Sequence, residues 1–276
     1  MLESMLMGRT SDGSPVGQIL FSTAGTFEFI VPEDVNQICG VAVGASCGFG
    51  GSRGFGASAG AAGGGGPGLS WRNHIPVTPG EVLKVFIPPA TTSAADGTDT
   101  YLARTVESVD EILLIAGGGK RGSGTTGGTG GLGGKFASSI NDGGGSGGRG
   151  GNGGSAGINP GGGGGGGGAG GYTGAGGVGG NGGSGSGSSG GAGGAGLGGA
   201  ARGGNGGSGG SSAGSGQAGN GVGLYGEYAS GNTAAPNGSI PPTGDTTAYG
   251  RPNMSGAMRL LWGSNRQFPT TNVLDM

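Results

Sequence analysis

Residues 144–155 read GGS-GGR-GGN-GGS, four triplets in unbroken phase, with Ser146, Arg149, Asn152 and Ser155 at every third position. The same phase returns as GGT-GGL-GGK over residues 127–135, GGV-GGN-GGS over 176–184 and GGN-GGS-GGS over 203–211. Shorter copies occupy 167–172 and 190–195. Chance enrichment in glycine does not hold phase so often. A helix with three residues per turn places every third side chain along one edge, which is polyproline-II geometry with a rise of ~3.1 Å per residue. Without proline rings, the backbone N–H and C=O groups point outward and can bond laterally to neighbouring rods.

Glycine fills 59 of the 110 positions from 117 to 226, out of 84 in the chain. Such a composition is ordinarily read as a flexible linker. Ordering a glycine costs ~0.5–1 kcal/mol more than ordering an alanine. A lateral hydrogen bond returns ~1 kcal/mol net. The two are of similar size, so an ordered block must pair nearly every backbone group. One rod cannot do that; a bundle walled by other layers can. Leu132, Val178 and Leu197 are the few side chains placed to seal such a bundle.

The flanks supply the walls. Residues 26–31 (TFEFIV) alternate, with Phe27, Phe29 and Val31 on one face. Residues 37–43 set Ile38, Gly40 and Ala42 against Cys39, Val41 and Val43. Residues 19–21, 69–75, 82–87, 101–104, 111–116 and 257–262 are further strand candidates, rich in β-branched and aromatic residues. In 69–75, alternation puts Leu69, Trp71, Asn73 and Ile75 on one face and His74 on the other. A helix over 102–112 is the weaker alternative, carried by Leu102, Val106 and Val109. The expected fold is mainly β, with almost no α-helix: antiparallel, sandwich-like layers enclosing or flanking a bundle of polyglycine-II helices. The expected divisions are an N-terminal attachment arm (1–17), a β module with a short glycine patch (18–116), the glycine bundle (117–226), and a long loop, closing strand and tail (227–276).

Composition excludes several functions. The formal charge is −2, from 13 basic and 15 acidic residues with no basic stripe, which argues against nucleic acid. No apolar run approaches a membrane span, and residues 1–7 carry Glu3 where a secretory signal needs bases. Cys39 and Cys47 are too few for a disulfide framework and read as buried small hydrophobes; their pairing stays open. Gly122-x-Gly124-x-x-Gly127 spells a dinucleotide fingerprint, but no helix can follow through GGT-GGL-GGK. His74 is the only histidine and has no partner set for a metal. Arg149 and Arg202 head isolated RGG units that lack the aromatics of an RNA-binding box. No catalytic group, metal or cofactor is expected, and the chain reads as a non-enzyme.

The non-glycine residues where triplet runs break are the candidates for recognition: Phe136, Ile140, Asn141, Ile158, Tyr172, Tyr225, Tyr228 and Tyr249. Aromatic and aliphatic residues on rigid loop tips have the composition of binding surfaces. The bland alternative is that they cap the bundle ends against water.

Residues 21–35, opening FSTAGT and reaching VPEDV, followed by VAVG at 41–44, resemble the opening of a glycine-rich module common in bacteriophage virion proteins. GLSWRNHIPVTPGE at 68–81 is similar to its second signature. GAMRLLWG at 256–263, with Arg266 and FPTTN at 268–272, resembles its closing strand and tail. A related architecture, polyglycine-II rods between β layers, is known in adhesins that cap the long tail fibres of some T-even-type phages, where loops at the distal rod ends read the receptor. The resemblance implies a tail-fibre or tail-tip adhesin, assembled in the host cytoplasm and present in several copies per virion. Its receptor loops would be 136–141, 156–159 and 225–249. Arm 1–17 and the C-terminal tail would bind other virion proteins. The aromatic cluster is sparser than in a dedicated adhesin, which leaves a head or tail decoration role open. An ice-binding role is disfavoured by the mixed third positions Leu132, Lys135, Arg149, Asn152 and Val178.

Overall fold

A computed structural model of the chain describes residues 6–9, 15–47, 59–91, 95–124, 126, 140–186, 189, 191–192, 214–226 and 254–269. These contain ten strands: β1 (Leu6–Arg9), β2 (Pro15–Phe21), β3 (Gly25–Ile30), β4 (Gln37–Val43), β5 (Leu69–Pro76), β6 (Val82–Ile87), β7 (Thr100–Val106), β8 (Val109–Ala116), β9 (Gly143–Gly145) and β10 (Ala257–Trp262). There is no helix among the described residues. The strands form two antiparallel sheets, β1-β2-β10-β4-β5-β9 and β3-β6-β7-β8. The chain is therefore mainly β. The last strand inserts between β2 and β4, pairing Leu260 with both Ile19 and Gly40.

The middle of the six-stranded sheet, β4 and β10, is buried on both faces, and the strand sequences say why. In β4, Ile38 and Ala42 enter the core shared with Phe29, Leu83, Val85, Leu102 and Leu114 of the smaller sheet. Cys39, Val41 and Val43 face the opposite way, onto Ala169, Tyr172, Val222 and Leu224 from the glycine-rich region. In β10, AMRLLW, all six residues are buried: Met258, Leu260 and Trp262 in the first core, Ala257 and Leu261 in the second. Strands covered on both faces lose polar alternation. Each side chain of ~100 Å² or more taken from water contributes roughly 2–3 kcal/mol, so the two cores hold the three layers together.

One local expectation is corrected, and the weaker alternative over residues 102–112 is excluded. Ile75 does not share a face with Leu69. A bulge opposite Ile38–Gly40, with His74 in the left-handed region (φ 51°), shifts the alternation and turns Ile75 into the core with Ile38. Residues 102–112 are not helical. Glu107 and Ser108 both take positive φ and close a tight hairpin between β7 and β8, pairing Val106 with Val109. Within the expected attachment arm, Leu6–Arg9 pairs with the start of β2 and so adds an edge strand to the large sheet.

β4 runs directly into glycine segment 44–47, β5 emerges from 59–68, and β8 runs into 117–124. The glycine segments thus begin at one common end of the strands. Residues 162–170 lie in the middle of them. The N–H groups of Gly162, Gly165 and Gly168 donate to the carbonyls of Gly183, Gly180 and Gly177 at 2.7–2.8 Å. Those of Gly163, Gly166 and Ala169 donate to Gly214, Gln217 and Asn220. Those of Gly164, Gly167 and Gly170 donate to Ala61, Gly64 and Pro67. A fourth neighbour, 148–154, donates to the carbonyls of Gly168, Gly165 and Gly162. Successive donors thus rotate among three neighbours and return every third residue, whereas those of a β-strand alternate between two sides.

At many of the glycines that spacing leaves no room for a side chain. A Cβ on Gly179 would sit 2.0 Å from the Gly165 carbonyl oxygen, and one on Gly167 would sit 1.9 Å from that of Gly148. The triplet's third residues face outward: Arg149, Asn152, Val178 and Asn181 are exposed. Gly179→Val therefore lowers unfolding free energy by more than ~3 kcal/mol. Asn181→Val loses only the exposed bond from the Asn152 N–H (2.9 Å) and costs less than ~1 kcal/mol. Thermal and denaturant melts of the two variants test the contrast.

At the far side of the small sheet, Arg104 pairs with Glu81 and bonds the Pro76 carbonyl at 2.7 Å. Burial alone would raise the Glu81 carboxyl, but hydrogen bonds from Arg104 and the Thr78 N–H outweigh it, and its pKa falls below the usual value. A lowered folded-state pKa contributes stability above the unfolded pKa, lost as pH falls through the folded one. Glu81→Gln accordingly flattens the loss of stability between about pH 5 and pH 3, read from urea midpoints across that range.

Candidate functional site at the ends of the glycine segments

The glycine segments have two unlike ends. At the near end, next to the strands, the eye-catching side chains are consumed by packing. Tyr172 is fully buried, stacked on Phe268 with centroids 5.9 Å apart. Its hydroxyl donates to the Gly223 carbonyl (3.2 Å) and accepts from the Gly226 N–H (3.0 Å). The Trp71 indole donates to the Tyr172 carbonyl at 2.9 Å. Tyr225 is half-buried under the Arg259 guanidinium, 3.9 Å from ring centroid to Cζ. Arg259 is itself buried, bonding the Leu224 carbonyl and Gln18 Oε1.

Asn141 is also buried. Its amide accepts from the Ile115 N–H (3.2 Å) and donates to the Ile115 carbonyl (2.8 Å), acting as one residue of a strand beside β8. Arg72 Nη1 bonds the Leu113 carbonyl on the same edge at 2.9 Å. Ile140 is half-buried beside it. Tyr172 and Asn141 are therefore removed from the exposed recognition set. Both carry polar groups that satisfy backbone atoms which burial would otherwise leave unpaired.

At the far end the loop 155–160 turns between two glycine segments. Ile158 sits at its apex, fully exposed. Three backbone bonds hold the loop: Gly157 N–H to the Asn159 carbonyl (3.1 Å), Asn159 N–H to Gly185 (3.3 Å), and Gly185 N–H to Ser155 (2.9 Å). Ser184 and Ser186 lie beside it, their hydroxyls 2.8 Å apart. Among the described candidates only Ile158 has the placement expected of a contact residue. Phe136, Tyr228 and Tyr249, like Leu132, Lys135 and Leu197, lie outside the described residues.

The remaining expectations are placed as follows. Gly124, at φ 57°, lies in a turn closed by Ser123 and Thr126, and Gly122 immediately precedes it. Cys39 and Cys47 are free and buried. Burial pushes both thiols up, Cys47 to about 11, and Cys47 Sγ donates to the Gly65 carbonyl at 3.2 Å. Among the described residues no group of His, Cys, Asp and Glu is arranged to hold a metal.

No protein-family model matches the chain, and no curated protein shows significant sequence similarity to it.

Tyr172→Phe keeps the ring but leaves the Gly223 carbonyl and Gly226 N–H without their partner. It lowers stability by about 1–3 kcal/mol, measured by denaturant titration. A variant as stable as the parent would contradict the role given to the Tyr172 hydroxyl.

Proposed function

We propose that this chain is a bacteriophage virion protein of the tail fibre or tail tip, a binding element and not an enzyme, in which polyglycine-II helices hold a contact loop away from a β-sandwich base. Polyglycine-II geometry is supported by the threefold rotation of donors along residues 162–170 and by carbonyls standing where a Cβ would be. At ~3.1 Å per residue those nine residues span about 28 Å. The observation that carries the reading is the backbone-pinned loop at the far end with Ile158 exposed at its apex. An aliphatic side chain on a loop already ordered before binding loses little entropy on association. The resemblance of residues 21–44, 68–81 and 256–272 to glycine-rich virion proteins supports the same assignment. Arm 1–17 and the C-terminal tail join it to neighbouring virion proteins, in several copies per particle.

Phage assembled with the Ile158→Asp chain adsorb to their host at least about tenfold more slowly, the equivalent of ~1.4 kcal/mol of lost contact, while particle yield is unchanged. Unaltered adsorption would sink the contact-loop reading. A second reading, a decoration protein without receptor binding, is favoured by the sparse aromatics of the far loop. Antibody labelling of intact particles separates the two: label at the distal tail supports the adhesin, label on the head supports decoration, and absence from particles overturns both.

A further inference from the structure

The strand ends remote from the glycine segments enclose a cleft of about 410 Å³. β4 separates the two regions by its own length of seven residues, about 20 Å. Two tight turns and a bulge converge on the cleft. The turn after β3 is closed by the Val35 N–H on the Pro32 carbonyl, with Asp34 at φ 64°. The bulge of β5 sets His74 at φ 51°. The turn after β10 is closed by the Arg266 N–H on Gly263, with Asn265 at φ 62°. Three of the five non-glycine residues with positive φ among those described line this one cleft; the other two form the β7–β8 turn. The walls are thus preset by backbone geometry and by the cores behind them.

Pro15, Val35 and Trp262 give the lining an apolar part; its polar part is rich in carboxamides, Asn36, Gln37, Asn265 and Gln267, with Asp34 and His74 beside them. The Arg266 guanidinium also borders the cleft, but it is buried and bonds Gly17, Trp262 and Gln18 Oε1. Gln37 Oε1 lies 3.0 Å from His74 Nδ1. With the amide oxygen accepting, Nδ1 is the ring nitrogen that donates. Carboxamides each donate and accept. Such a lining suits an uncharged ligand whose groups both donate and accept, and offers little to a polyanion or a bare cation. The volume falls in the range of small-molecule sites. Because the cleft lies across strand ends, it gives an extended peptide no edge to pair with along its length.

We propose that this cleft is a saccharide-binding site, taking one or two neutral sugar units through their hydroxyls. The site is separate from the far glycine loop and stands whether or not the chain belongs to a virion.

The test is amide-resolved NMR of the intact chain, titrated to tens of millimolar with glucose, galactose, mannose and N-acetylglucosamine, and in parallel with glycerol and tetraglycine. The expected result is saturable shifts with at least one sugar, with a millimolar Kd, confined to residues 34–37, 74 and 264–267. Those shifts are lost in Asn36→Ala/Asn265→Gly, the glycine being chosen because it keeps the left-handed backbone at 265. Asn181→Ala, on the exposed glycine face, retains them. Absence of saturable shifts with all four sugars, equal response to glycerol, response to tetraglycine alone, or full retention in the double variant would each overturn the proposal. The wild-type titration decides the question even if the double variant fails to fold.

Discussion

The backbone hydrogen bond between glycine segments sets the constraint that the rest of the molecule is built to meet. Each N–H of residues 162–170 reaches a carbonyl on a neighbouring segment, and at Gly163, Gly164, Gly166, Gly167 and Gly170 an added Cβ would lie 1.9–2.9 Å from a backbone atom of a neighbour. In an ordinary core, apolar area supplies the driving force and hydrogen bonds are kept so as not to lose. Here side chains are nearly absent from the interior, so the donors and acceptors themselves must be matched almost without exception. That demand explains why glycine persists at the inward positions, and why Arg149, Asn152, Val178 and Asn181 can differ freely at the outward ones.

Such an array cannot close itself. Its near end is closed by the large sheet: Tyr172, Ala169, Val222 and Leu224 meet Val41, Val43, Leu69 and Leu261. This is why both faces of β4 and β10 are apolar, and why the last strand of the chain returns to the centre of the first sheet. The sandwich in turn rests on a conventional core between its sheets. Stability therefore passes from the sandwich core, through the buried middle sheet, to a region with almost no apolar content of its own. Side chains with polar tips sit at the joins. Asn141 finishes the open edge of β8, Tyr172 ties Gly223 to Gly226, and Arg259 lies between Tyr225 and Gln18.

Much of this was legible in sequence. The spans 37–43, 82–87 and 257–262 were read to the residue, because their apolar runs are bounded by turn residues or glycine. Both faces of β4 were separable by simple alternation. What escaped was geometry that depends on a single dihedral: the bulge at His74 reverses the phase of β5, and the paired left-handed residues Glu107 and Ser108 turn an apparent helical spacing into a hairpin. The candidate site was only partly legible. Composition marks Tyr172, Asn141 and Ile158 alike as unusual residues at breaks in the triplets. Which end of the bundle each break occupies decides whether the side chain packs or projects, and the count of triplets between breaks does not reveal it. The cleft beside His74 was not anticipated, since its residues come from turns far apart in sequence, at 34–37, 74 and 263–267.

Amide hydrogen exchange across residues 162–170 tests the central claim most directly. Protection reports backbone bonds that open only with larger unfolding. The account requires slow exchange at nine consecutive amides, Gly162 to Gly170, with no alternation, since every one donates to a neighbour. Exchange at the rate of an unstructured chain, or protection at every second amide as on a strand edge, would contradict it.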